Sequence, residues 1–522
     1  MGMKRYFSFY NLLLLLFMAF IALPVLYTLI SAFFANPNLS NDLSQLDFST
    51  FTLLSKSILL AAIIAIMTVL IGTGLAFMVY KTQLPFRRFL RIILLIPLFI
   101  SPYILAGAWN GFFFFIFENV GFRSSYFGLI LVLTTVYTPL AMLIVGSALA
   151  NISAQIEESA LMLTNTKTMI LRIILPLIKP ALLSSFVLVF IFSISNFAVP
   201  AFFGVKVFTT EIFTQFSAFY KHSFAIIQSV FLILICVALL LSEYKYLADA
   251  PFLSFGNRGL STKLYSNNRL INWSLLLVLL WIVISIVLPF FILIIQSFDD
   301  GIGKFQEAFN LLLPTFADSI LLAFIASVFI VLIGFTVAYY QVWQKQNVRF
   351  FNALMLLIFV IPSTVFGISL IKFYNHPELN WIYSTYAIII IAFVGKFSFI
   401  AAKLLTNALR QIPKSLNDAA QIAGLKSSQI VLKILLHLAL PTLFTSFIIS
   451  FIFSLGELGT TIMVYPPGTE LMPIKVFTIM ANAPQSLTSS MNLIVFSITL
   501  ILISVFSFIA KQFFNKANYV NY

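Results

Sequence analysis

Apolar residues run in blocks of about 20 along the whole chain, separated by short polar segments. At about 1.5 Å per residue each block can cross the hydrocarbon of a bilayer as a helix. None alternates apolar and polar residues as a lipid-facing barrel strand would, so satisfying the backbone inside lipid requires helices. The pattern predicts twelve spans, at roughly 7–33, 57–80, 90–112, 126–150, 180–203, 223–242, 271–296, 319–343, 351–373, 382–403, 438–464 and 487–510. The fold class expected is an all-α integral membrane protein. Composition agrees, because 61% hydrophobic and 9% charged residues leave too little polar surface to cover a soluble core of 522 residues. The first block follows Lys4 and Arg5, but it is longer than a signal-peptide core and lacks a small-x-small cleavage site. It is read as a retained span.

Charge then orients the chain. With the N-terminus in the cytosol, most of the 30 Lys and Arg fall on the cytosolic side, among them Lys81, Arg87, Arg88, Arg91, Lys167, Arg172, Lys179, Arg410, Lys426 and Lys433. The positive-inside rule therefore places both termini in the cytosol. The net charge of +14 reads as a topology signal and a match to anionic lipid, not as a nucleic-acid footprint. Acidic residues concentrate on the opposite side, at Asp42, Asp47, Glu118, Glu211, Asp299, Asp300, Glu307, Asp318, Glu378 and Glu470.

The blocks repeat. Ser57-Ile-Leu-Leu-Ala61 recurs as Ser319-Ile-Leu-Leu-Ala323 and Leu70-Ile-Gly72 as Leu332-Ile-Gly334, both 262 residues on; Phe190-Ile-Phe-Ser193 recurs as Phe451-Ile-Phe-Ser454, 261 residues on. The chain divides into a first half at 1–242, a polar linker at 243–272 carrying Pro251, Gly256, Asn257 and Gly259, and a second half at 273–522. Six spans per half give both halves one orientation, so their symmetry axis runs along the membrane normal and a path can lie between them.

Two polar segments lie at equivalent places in the repeat: EESALMLTNTKTMILRIILPLIKP at 157–180 and DAAQIAGLKSSQIVLKILLHLALP at 418–441. Each resembles the EAA loop of ABC importer permeases, in which an acidic residue, two small residues and a Gly six positions after the acid lead towards Leu-Pro. Asp418, Ala419, Ala420 and Gly424 match the front of this pattern, and Pro441 its end; His437 stands where the earlier proline is expected. In the first loop Glu158, Ser159 and Ala160 match after Glu157, Thr164 replaces the Gly, and Leu175-Pro176 and Pro180 are kept. The resemblance implies a type I importer fold of two six-helix halves in a bacterial inner membrane. It also implies that these loops dock two cytosolic ATPase subunits, and that an external or periplasmic binding protein delivers the solute. The small residues would let each loop helix sit closely in an ATPase cleft.

No G-x-x-x-x-G-K-[ST] occurs, so no ATP site of that type, and no cofactor, is expected on this chain; ATP belongs to the partner. Cys236 is the only cysteine, and His222, His376 and His437 are scattered, so neither a disulfide nor a metal site is expected. No nucleophile, base and orienter arrangement suggests an enzyme. Two intramembrane polar residues do stand out. At an offset of 261, Asn196 corresponds to Glu457. A carboxylate near a span centre costs about 2.5–3.5 kcal/mol, so Glu457 needs a partner. The two positions either line the path or mark a structural helix end.

Fused double permeases of this arrangement resemble the iron(III), thiamine and aminoethylphosphonate group, and NFAVPAFFGVKVFTTEIF at 196–213 is most similar to iron(III) permeases, where the residue at Asn196 is usually acidic. The resemblance implies ferric iron as solute, with thiamine, aminoethylphosphonate or polyamine as alternatives. A secondary transporter driven by an ion gradient would also have twelve spans, but it leaves the paired loops unexplained.

Overall fold

The computed structural model describes residues 9–34, 39–117, 126–249, 264–344, 348–413, 415–480 and 482–519. Lys4, Arg5, Glu118 and the linker residues Pro251, Gly256, Asn257 and Gly259 lie outside them.

Among the described residues ten helices are long and apolar enough to cross a membrane: Tyr10–Ser31, Phe48–Lys81, Tyr126–Ala150, Thr166–Ser195 and His222–Leu239 in the first half, and Asn268–Ser297, Ile302–Val342, Ala387–Gln411, Ser428–Leu455 and Gln485–Phe506 in the second. The spans expected at 90–112 and 351–373 are sharply broken. Arg87–Phe99 meets Pro102–Phe114 at 93°, and Arg349–Val360 meets Ser363–Tyr374 at 107°. Pro97 and Pro102 flank the first bend and Pro362 occupies the second. Proline supplies no N–H and pushes the preceding residue out of the helical region, so the chain can turn where both breaks fall.

The spans expected at 180–203 and 438–464 also stop early. Thr166–Ser195 ends before Asn196 and Ser428–Leu455 before Gly456, after which the short helices Ala198–Phe202 and Thr461–Val464 begin. Hydropathy alone reads through both breaks because the residues beyond them are still apolar.

Within each half the second span packs along the fourth, Phe48–Lys81 on Tyr126–Ala150 and Ile302–Val342 on Ala387–Gln411. The repeated Leu-Ile-Gly explains the closeness of these pairs. A Cβ on Gly72 would lie 2.7 Å from Ala141 Cβ, and one on Gly334 would lie 2.9 Å from Ala401 Cβ. Small residues let membrane helices approach where van der Waals packing must replace hydrophobic drive.

The halves also exchange elements. The first span, through Leu23–Phe34, packs on Ser363–Tyr374 of the second half, and Leu288–Ser297 packs reciprocally on Pro102–Phe117 of the first. Tyr374 Oη donates to the Phe20 carbonyl at 2.7 Å across this contact. Both exchanged helices carry a π turn, Met18–Ala22 and Val283–Val287, followed by Pro24 and Pro289. The repeat therefore extends to the first spans.

Candidate functional site

The loop helices are Ala154–Leu163 and Ser415–Ile422. Their C-termini differ for a backbone reason. Gly424 has φ +81°, its N–H donates to the Gln421 carbonyl at 2.9 Å, and the Leu425 N–H donates to the Ala420 carbonyl at 3.0 Å. This pairing is the Schellman arrangement, which needs a left-handed residue that glycine supplies without strain. Thr164, at the matching place, is extended with φ −152° and ψ 171°, and Asn165 restarts the chain by accepting from Thr168 N–H at 2.9 Å. The departure from glycine in the first loop is thus a different exit from the helix.

Each helix presents an inward and an outward face. Ala160 and Ala420 are buried, so these two small residues fit the loop helix against its own spans. Ala160 packs with Met169, Ile174 and Ile152, and Ala420 with Ile430, Leu435 and the side chains of Tyr339 and Trp343. Glu158, Ser159, Asp418 and Ala419 are exposed, as are Pro176 and Pro441 on the helices that follow. Glu157 is fully buried and forms an ion pair with Lys81, itself fully buried at the end of the second span. Its other oxygen accepts from Tyr265 Oη at 2.8 Å.

Tyr265 comes from the end of the linker, which is stitched to the second span by Tyr265 N–H to Lys81 O at 2.8 Å and Gln83 N–H to Tyr265 O at 3.1 Å. Burial, followed by the hydrogen bond to Glu157 and its negative charge, pushes the Tyr265 phenol well above its ordinary pKa, so it remains a donor. In the second half Trp343 stands 262 residues from Lys81 and packs on Ala420. One loop is therefore anchored by a buried ion pair and the other by an indole.

The outward faces carry residues that the motif comparison missed. Met162 and Leu163 are 86% and 91% exposed, and Ile422 is 88% exposed. Met162 and Ile422 are equivalent, each two residues before the Thr164 or Gly424 position. Large exposed apolar side chains at one place in both loops are a feature that the two halves share. A periodicity count on each loop helix, relative to the buried alanine, would have found them.

On the symmetry axis lies a cavity of about 220 Å³. Its lining is drawn from both halves at equivalent positions: Phe192 with Phe453, Val136 with Phe397 and Asn196 with Glu457, all 261 residues apart. Both helix breaks reach it, through Ser101 and Pro102 and through Ser363. Ser101 Oγ closes the seam by donating to the Gly456 carbonyl at 2.9 Å.

Asn196 and Glu457 line this cavity and also cap helices. Asn196 Oδ1 accepts from Val199 N–H at 3.0 Å, and its Nδ2 donates to Tyr137 Oη at 3.2 Å. Glu457 accepts from Thr460 N–H at 2.9 Å, from Thr461 N–H at 3.0 Å and from Thr461 Oγ1 at 2.8 Å. The partner that the carboxylate requires is the positive end of the helix it starts. The cavity also holds Lys396, whose ammonium donates to the Ile361 carbonyl at 2.5 Å. Its equivalent in the first half is Thr135.

Two tandem units, each pairing a membrane core with a loop helix, and a cavity on the axis between them define a membrane transport component. Residues 68–250 and 330–517 each match the family described as binding-protein-dependent transport system inner membrane component, and the chain belongs to that family. It is similar to the Fe(3+)-transport system permease protein FbpB 2 of Haemophilus influenzae, 23% identical with 85% of this chain and 88% of that protein covered. The ferric transport system permease protein FbpB of Actinobacillus pleuropneumoniae is 22% identical, covering 80% of this chain and 65% of that protein. The putative 2-aminoethylphosphonate transport system permease protein PhnV of Salmonella paratyphi A is 24% identical, with 38% of this chain and 75% of that protein covered.

Proposed function

We propose that this chain is a two-half permease of an ATP-driven importer, with one half at 1–242, the other at 273–522 and the linker at 243–272 joining them on the cytosolic side. Both termini and both loop helices face the cytosol. Each loop helix docks one subunit of a separate ATPase, which alone binds ATP; this chain holds no cofactor. The outward apolar residues Met162, Leu163 and Ile422 enter the ATPase surface, with Glu158, Ser159, Asp418 and Ala419 around them. Closure of the ATPases pushes the two loop helices together. Because each is fixed to its second span, the push reaches the helix breaks at the axial cavity and opens the path to a solute delivered by an external binding protein.

Ferric iron is the solute this reading favours, since the ferric permeases align over 85% and 80% of this chain and the aminoethylphosphonate permease over 38%. The observation that carries the docking assignment is the pair of equivalent exposed apolar side chains, Met162 and Ile422, on polar loops. Co-purification of an ATP-hydrolysing subunit with the tagged chain tests it. Met162→Glu combined with Ile422→Glu should abolish that association with membrane abundance unchanged. Retained association, or a chain that purifies with no ATPase at all, would overturn the assignment.

A further inference from the structure

The axial cavity contains one cationic and one anionic side chain, and the two are not equally free. Both oxygens of Glu457 are committed to the Thr460 and Thr461 N–H groups and to Thr461 Oγ1. The carboxylate is thus hydrogen-bonded by its own helix, while its charge also acts on Lys396 across the cavity. Asn196 contributes no charge where the other half has a carboxylate, and both ends of its amide are engaged. The Lys396 ammonium gives one of its three N–H groups to the Ile361 carbonyl. Among the described residues it forms no ion pair within 4 Å.

The broken helices bring both kinds of end to this wall, since the C-terminal residues Leu98, Phe99, Phe359 and Val360 of the first limbs also lie on it. Pro102–Phe117 and Ser363–Tyr374 begin at the bends, and their first residues lie on the cavity wall. Helix N-termini at a membrane midplane present partial positive charge to whatever occupies the space between them. Phe99, Phe359, Phe397 and Phe453 make much of the wall apolar, and Ser101, Tyr137, Ser195 and Ser363 are the neutral polar residues on it. A bare trivalent cation would need several converging carboxylates. Among the described residues no three His, Cys, Asp or Glu come together as a metal site.

We infer that the solute passes this cavity as an anion whose carboxylate, phosphonate or phosphate oxygens meet Lys396. Iron therefore crosses as a negatively charged chelate and not as the bare ion. This rests on the reading of the chain as an importer permease and deepens it by assigning the charge of the cargo. Lys396 is the specificity-determining residue and Asn196 keeps the opposite wall neutral.

Two measurements test it on the full-length chain. In the first, a cysteine is placed at Ser195 on the cavity wall in a Cys236→Ser background. In membranes its modification by a sulfonate-bearing thiosulfonate should outpace modification by the trimethylammonium analogue, and Lys396→Met should remove the preference. Faster reaction with the cationic reagent, or no reaction with either, overturns the inference whatever the solute is.

The second follows radiolabelled iron supplied as ferric citrate to cells that take it up through this chain. Loss of a charge-assisted hydrogen bond predicts that Lys396→Met lowers uptake by roughly 10- to 100-fold, with Lys396→Arg recovering much of it and abundance and ATPase association unchanged. Asn196→Asp should also reduce uptake, whereas a bare-cation path requires both Asn196→Asp and Lys396→Met to maintain or raise it. Wild-type cells that take up no iron would refute ferric iron as the solute and leave the cysteine labelling to decide the anion assignment.

Discussion

Replacing Lys81 by Met tests how the first loop is held. The substitution leaves the volume of the side chain nearly unchanged but strips the fully buried Glu157 of its cation, with Tyr265 Oη at 2.8 Å as its remaining partner. Breaking a buried ion pair by removing one member costs about 3–5 kcal/mol, because the charge left behind has lost its solvent and its counterion. The cost falls on the loop helix Ala154–Leu163, since Glu157 is its link to the second span. Amide protection over that helix should therefore fall by roughly two to three and a half decades, while protection in Tyr126–Ala150 stays as it was.

Hydrogen exchange on the protein in lipid nanodiscs reads this directly. Two controls fix the cause. Glu158→Gln, on the exposed face of the same helix, should change protection by no more than about 0.5 kcal/mol. Lys81→Met combined with Glu157→Leu should recover most of the loss, since an apolar pair of similar size carries no desolvation cost. Unchanged protection in Lys81→Met, or an equal loss in Glu158→Gln, would refute the claim that a buried ion pair anchors the loop.

Three further outcomes follow from the same geometry. Gly424→Ala forces a side chain into φ +81° and should weaken the second loop helix by about 1–2 kcal/mol, whereas Thr164→Ala at the extended equivalent should be close to neutral; exchange over the two loop helices compares them. Glu457→Leu removes the cap from Thr460 and Thr461 and should reduce abundance in the membrane, with Glu457→Gln preserving much of it; quantitative immunoblotting distinguishes this from a residue that only lines the path, for which both variants would accumulate normally. The Tyr265 pKa is raised on folding, so its contribution is complete below the unfolded value of about 10 and is lost only as pH rises through the higher folded value. Protection of the first loop should hence be flat between about pH 6 and 9, and a Tyr265→Phe variant should differ from the wild type by a constant amount across that range.

Helical spans, their approximate positions and the tandem repeat were legible in the sequence because each follows from local content: a block long enough to cross lipid must be a helix, and Ser57-Ile-Leu-Leu-Ala61 against Ser319-Ile-Leu-Leu-Ala323 needs no structure to be seen. The two loops were equally visible, since their polar residues interrupt apolar blocks at one offset. Which residues of a loop face the spans and which face outwards was not. Glu157 and Glu158 are adjacent carboxylates with the same propensity, and only the arrival of Lys81 from 76 residues earlier and Tyr265 from 108 later decides that one is buried and the other exposed.

The helix breaks were hidden in a different way. Hydropathy averages over a window and passes through Asn196, Glu457 and the bends near Pro102 and Pro362, because the residues on either side of them are apolar. Contact between the halves decided the rest. That Asn196, Glu457 and Lys396 share one space, and that each first span leans on the opposite half, depends on packing between segments hundreds of residues apart. The sequence by itself determined that the chain crosses the membrane as two repeated helical units with paired polar loops, because lipid demands local satisfaction of the backbone. Only the tertiary structure decided which polar side chains share the axial cavity and which hydrogen bonds they make there, because that depends on what meets them across the axis.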